Sequence, residues 1–174
     1  MKTSILKLIE KIDHRLVQSK DYFHIPNSEI GLLYINLKTY KNQDLILPNG
    51  ERIKSGSLIG EIHVDNERIK NMNLGFRDIV RILKNELDCL AIALETDPRL
   101  YNVSGFYGRT ILYSLLKREG FIILELDRSL KIRIVEIWTK LLRLVYSQNT
   151  IRESDRQVKE FWITRESLLK RKIS

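Results

Sequence analysis

The stretch from Lys54 to Glu67 constrains the fold more than any other part of the chain. It leaves a turn at Gly56 and runs through an alternating apolar strand into a polar patch. Successive strand side chains point to opposite faces. Leu58, Gly60, Ile62 and Val64 therefore share one face, and Ile59, Glu61, His63 and Asp65 share the other. A polar row on a half-buried strand either sits in a hydrogen-bond network or faces a ligand. Asn66 and Glu67 stop the strand.

Around this strand the pattern predicts a sheet. Residues 30–40 alternate with Leu33, Ile35 and Leu37 on one side and Tyr34, Asn36 and Lys38 on the other. Asn49-Gly50 is a tight-turn signal because both residues tolerate positive φ. With Asp44 to Leu47 and Glu51 to Ile53, it makes residues 30–63 read as an antiparallel meander. Ile79, Val80, Leu83, Leu87, Leu90, Ala91 and Leu94 recur at helical spacing, which predicts a long helix with Asn73 as N-cap and Asp97-Pro98 as its stop. Residues 103–126 then read strand, helix, strand. Gly108-Arg109-Thr110 opens the helix, Gly120 ends it, and a right-handed crossover pairs the two strands in parallel. Residues 158–163 form a last strand, and Thr164 caps a short helix with Glu166 in its first turn. Amphipathic helices are expected over 4–18 and 129–147. The fold class is α/β in the α+β sense: a single domain over 1–174, with a mainly antiparallel mixed sheet, a β-α-β unit in the C-terminal half, and helices covering the sheet.

Composition removes several function classes. At 43% hydrophobic and 30% charged residues, the chain reads as a globular protein. No apolar run approaches the roughly 20 residues that span a bilayer. Charges interrupt the N-terminal apolar pattern, so a secretory signal is not expected, and the cytoplasm is the predicted compartment. A single cysteine, Cys89, cannot form an internal disulfide and reads as a buried structural thiol. Three histidines and one cysteine lie in different segments without ligand spacing, so no metal site is expected. No nucleophile beside a base is visible.

The net charge is +8, and residues 129–174 hold eleven Lys and Arg against five Asp and Glu. Such a field suits an acidic ligand, an anionic surface or a partner protein. Peripheral membrane contact through the two amphipathic helices stays open. Nucleic acid is disfavoured, because the aromatic residues sit at core spacing rather than interleaved with basic ones. Glycine at the predicted turn 105–110 would let an anion approach free backbone N–H groups, with Arg109 as a bidentate partner. The candidate ligand contacts are therefore His63, Asp65, Asn66, Tyr107, Gly108 and Arg109. Of the two readings of His63, the hydrogen-bonded structural one is favoured.

Three stretches carry a family resemblance: Leu47 to Asn66, Gly105 to Phe121 with its ending Lys117-Arg118-Glu119-Gly120-Phe121, and Phe161 to Leu169. Together they resemble the YkoP-like domain family, which occurs in Firmicutes alone or appended to polysaccharide deacetylases. Gly56-Ser57 stands where that family usually has Gly-Asp. The resemblance implies a non-catalytic binding or interaction module linked to cell-envelope or polysaccharide processes, without a cofactor. The order of elements also resembles the GNAT acyltransferase fold, which implies acyl-CoA as the alternative cofactor. The pyrophosphate loop of that fold would fall at Asn71 to Phe76, which has one glycine and no matching arginine.

Overall fold

The computed structural model describes residues 22–65, 68, 71–72, 75–110, 113–126 and 159–171. Six strands form the main sheet: β1 (Tyr22–His24), β2 (Leu33–Thr39), β5 (Leu58–Val64), β6 (Val103–Thr110), β7 (Ile122–Leu124) and β8 (Lys159–Thr164). Their order is β1-β2-β5-β6-β8-β7. Every neighbouring pair is antiparallel except β5 and β6. A separate ribbon pairs β3 (Leu45–Ile46) with β4 (Arg52–Ile53). The helices are α1 (Phe76–Thr96), α2 (Tyr113–Arg118) and α3 (Arg165–Lys170). The result is one mixed α+β domain with a mainly antiparallel sheet, as the sequence pattern predicts. The helices expected over 4–18 and 129–147 lie outside the described residues, as do Asn66 and Asn73.

Two connections differ from the sequence reading. The meander does not run strand by strand, because β2 pairs directly with β5, Ile35 opposite Ile62. Tyr40 N donates to Ser57 O at 2.8 Å and Gly56 N to Tyr40 O at 2.7 Å, so this ladder closes beneath the ribbon. The ribbon turns through Pro48, Asn49 and Gly50, closed by Leu47 N on Glu51 O at 2.8 Å. Gly50 at φ 85° is the left-handed residue that a three-residue hairpin loop needs. The second difference concerns β6 and β7, which do not pair. β8 lies between them, antiparallel to both. Its residues Phe161, Trp162 and Ile163 are buried on both faces, which requires a neighbour on each side, whereas the half-buried β7 suits an edge.

One face of the sheet carries the main core. Leu87, Leu90, Ala91 and Leu94 of α1, Leu116 of α2 and Leu168 of α3 pack over Leu33, Ile35, Ile62, Phe106, Phe161 and Ile163. Each fully buried side chain of this kind contributes roughly 1.5–3 kcal/mol. Gly75, rather than Asn73, is the N-cap of α1. Arg165 of α3 donates to Leu94 O in the last turn of α1 at 2.7 Å and to Leu100 O, in the 3-10 turn Pro98–Leu100 that follows it, at 2.9 Å. Helix ends leave such carbonyls without intrahelical partners, and a guanidinium satisfies two at once. Thr164 caps α3 as expected, accepting from Ser167 N at 3.2 Å. Glu86 of α1 is buried and accepts from Leu33 N at 3.2 Å and from the Ser28 hydroxyl, tying α1 to the entry of β2.

Candidate functional site

The opposite face of the sheet places the sequence-predicted residues in two cross-strand rows. The first row runs Tyr22, Asn36, Glu61, Tyr107, Trp162 and Ile122 across all six strands. The second places His24, Tyr34 and His63 opposite one another, with Arg109 facing Glu160 further along the sheet. The two ends of this face differ. Leu47 beside the ribbon and Ile53 within it cluster with Ile59, Tyr107 and Trp162 into a second apolar core. Tyr107 and Trp162 stack at 4.9 Å and are only 5% and 3% exposed, so Tyr107 presents little surface to a ligand.

The remainder of the face is polar and half-buried. Glu61 accepts from Lys38 Nζ at 3.0 Å, and His63 Nε2 lies 3.6 Å from the same carboxylate oxygen. Burial pushes the Glu61 carboxyl up, but the His63 and Lys38 interactions outweigh that and hold it at about 2. The hydroxyl of Tyr22 approaches His63 Nε2 at 3.5 Å, edge-on to its ring. Both histidine contacts are long for hydrogen bonds, and the His63 side chain keeps 31% of its surface exposed. Lys38 Nζ also stands 4.5 Å over the Tyr107 ring, which ties the polar group to the aromatic stack. Arg109 lies 3.4 Å from Glu160, whose other oxygen accepts from Trp162 Nε1 at 2.7 Å.

Asp65 lies just past β5 and is not in contact with Glu61. It accepts from the Tyr34 hydroxyl at 2.8 Å and from Arg68 N at 2.8 Å, which shapes the exit from the strand. Gly108 does not open a helix: β6 continues through Thr110, and Gly108 faces Phe161 in the ladder with β8. The strand-to-helix turn expected at Gly108 is therefore absent. A Cβ on Gly108 would come within 2.4 Å of the Phe161 ring and 2.8 Å of Ile62 O, so packing accounts for the glycine. Asn66 lies outside the described residues. His63 and Arg109 thus share a face, each beside a carboxylate, while Tyr107 and Gly108 serve packing.

The YkoP domain family matches residues 2–172. The chain belongs to this family. No curated protein and no solved structure matches the chain. Sequence reasoning located the polar row of this YkoP domain but missed Lys38, Glu160 and Trp162. They are brought to Glu61 and Arg109 by pairing across strands distant in sequence. Among the described residues, no three His, Cys, Asp or Glu side chains are grouped to hold a metal ion. No helix among them is long and apolar enough to cross a membrane.

The structure also redistributes the basic surplus of the C-terminal quarter. Lys159 pairs with Glu125 at 2.7 Å, Lys170 with Glu166 at 3.2 Å, and Arg171 with Glu119 at 2.7 Å and Asp88 at 3.2 Å. Arg165 is taken up by the end of α1. The four described cations of that quarter are therefore all engaged within the fold.

Proposed function

We propose that this YkoP domain is a non-catalytic cytoplasmic binding module that takes an acidic ligand in cell-envelope or polysaccharide processes. The observation that supports this best is the state of Glu61. A general base works best with a pKa near the operating pH. A carboxyl held at about 2 by Lys38 and His63 is a weak base near neutral pH. The row is then a hydrogen-bonded and charge-paired network in which the exposed Lys38 and the half-buried His63 and Arg109 offer donors to a ligand. Titration calorimetry with poly(glycerol phosphate) and with a uronic-acid polysaccharide tests it. Salt-sensitive binding that falls in His63→Ala and Arg109→Gln supports the module; no binding of either polymer to the intact chain removes it.

A second reading, a GNAT-type acyltransferase with a degenerate acyl-CoA loop, is favoured by one feature of the sheet. β5 and β6 are its one parallel pair, α1 lies between them in sequence, and their ladder stops after Glu61 and Tyr107. In open parallel α/β sheets ligands bind outside the carboxyl ends of the strands, and this single pair offers one such end. Saturable binding of CoA or acyl-CoA by calorimetry would select this reading.

A further inference from the structure

We propose that His63 is a proton switch on the polar face of the sheet: its protonated ring takes Glu61 and releases Lys38 to an acidic ligand. This rests on the reading of that face as a site for such ligands. The geometry that carries it is one contested oxygen. Glu61 Oε2 accepts from Lys38 Nζ at 3.0 Å, and His63 Nε2 stands 3.6 Å from the same atom. The Tyr22 hydroxyl approaches that ring nitrogen at 3.5 Å, and the two rings meet edge-on. His63 Nε2 thus lies between a hydroxyl that can donate to it and a carboxylate that only accepts.

The two charge states of the ring treat these neighbours differently. A neutral imidazole can keep Nε2 bare and accept the Tyr22 proton, whereas an imidazolium donates from both nitrogens. Protonation therefore draws Nε2 onto Glu61 in a charge-assisted hydrogen bond, roughly twice as strong as a neutral one. Glu61 is ionised on both sides of this change, since its carboxyl titrates at about 2. One carboxylate oxygen then faces two cations, and the more exposed of them can leave. Lys38 is that one: 44% of its side chain is exposed against 31% for His63, and its ammonium already stands 4.5 Å over the Tyr107 ring.

The other titratable and charged groups around His63 have partners of their own. From β2, Tyr34 lies directly opposite and its hydroxyl donates to Asp65 at 2.8 Å. Asp65, just past β5, also takes Arg68. From β1, His24 packs on the Tyr34 ring at 4.2 Å, one strand further away. From β6, Tyr107 stacks on Trp162 and Arg109 lies beside Glu160. The oxygen shared by Lys38 and His63 is therefore where a change of charge on His63 is felt.

The test follows the intact chain from about pH 8 to about pH 5, the range in which histidine ordinarily changes charge. NMR of the Lys38 ε-methylene and of the His63 ring needs no ligand. Both should titrate with one midpoint. The Lys38 change should vanish in His63→Gln and persist in His24→Gln. Calorimetry with poly(glycerol phosphate), whose phosphodiesters keep their charge over this range, reads the consequence. Binding should be about fivefold or more tighter at the acid end than at the neutral end, the low end for coupling between two sites. In His63→Gln it should be equal at both. A Lys38 signal that stays flat overturns the proposal, as does polymer binding of the same strength at both ends in the intact chain. Coupled titration of Lys38 and His63 without polymer binding at either end keeps the switch and removes the ligand reading instead.

Discussion

The two faces of the sheet are built from the same strands and do different work. On the helix-covered face, α1, α2 and α3 meet a continuous apolar layer centred on Phe106 and Ile35, both fully buried. On the other face an apolar end beneath the ribbon gives way to a polar end, where Lys38 pairs with Glu61, Arg109 pairs with Glu160, and His63 lies beside Glu61. Alternation along each strand produces both at once: Phe106 and Tyr107 are sequence neighbours, as are Ile62 and His63. Stability is thereby concentrated on one side. The other side can carry exposed charged groups without costing the core.

The sharpest way to break this comparison is to truncate a residue on each face. Phe106→Ala should lower stability by about 3–5 kcal/mol, the range for a large buried aromatic, read from chemical denaturation. Gly108→Ala comes next. Its added methyl meets the Phe161 ring on the same side, and the overpacking should cost about 1–3 kcal/mol. His63→Ala should be milder, about 1 kcal/mol or less, because its contacts at 3.5 and 3.6 Å are long. A loss as large as that of Phe106→Ala would make the polar face structural.

Two smaller effects refine the contrast. The Glu61 carboxyl is depressed from 4.5 to about 2, so its contribution is complete above pH 4.5 and is lost as pH falls towards 2. Allowing for its partial exposure, the loss should be on the order of 1–2 kcal/mol. It should be absent in Glu61→Gln when both proteins are followed by denaturation across that range. Burial, with Glu86, Asp88 and Glu29 nearby, pushes the Cys89 thiol up. Cys89 should therefore alkylate more slowly at pH 8 than a cysteine in a short peptide, and a faster rate would show α1 opening locally.

Much of this division was legible in the residue order. The alternation from Leu58 to Val64 assigned each side chain to its face, and the helical spacing from Ile79 to Leu94 marked the cover. What the sequence hid were partners made by strand order. Nothing local says that β8 enters between β6 and β7, so neither the Tyr107–Trp162 stack nor the Arg109–Glu160 pair could be read. Gly108 misled for a related reason. A glycine before Arg-Thr reads as a turn, but this one makes room for a ring on a strand about fifty residues away in sequence. Charge counting misled as well, because it pointed to the C-terminal quarter, whose described cations are all engaged.

The central claim is that the polar face is a charge-paired binding surface in which Glu61 stays ionised. Carbon-detected NMR titration of the Glu61 side-chain carboxyl in the intact chain measures this directly. The account predicts a midpoint near 2 in the native protein, moving up when Lys38 is replaced by Met. A midpoint at or above 4.5, the ordinary glutamate value, would contradict it and make Glu61 a candidate proton acceptor.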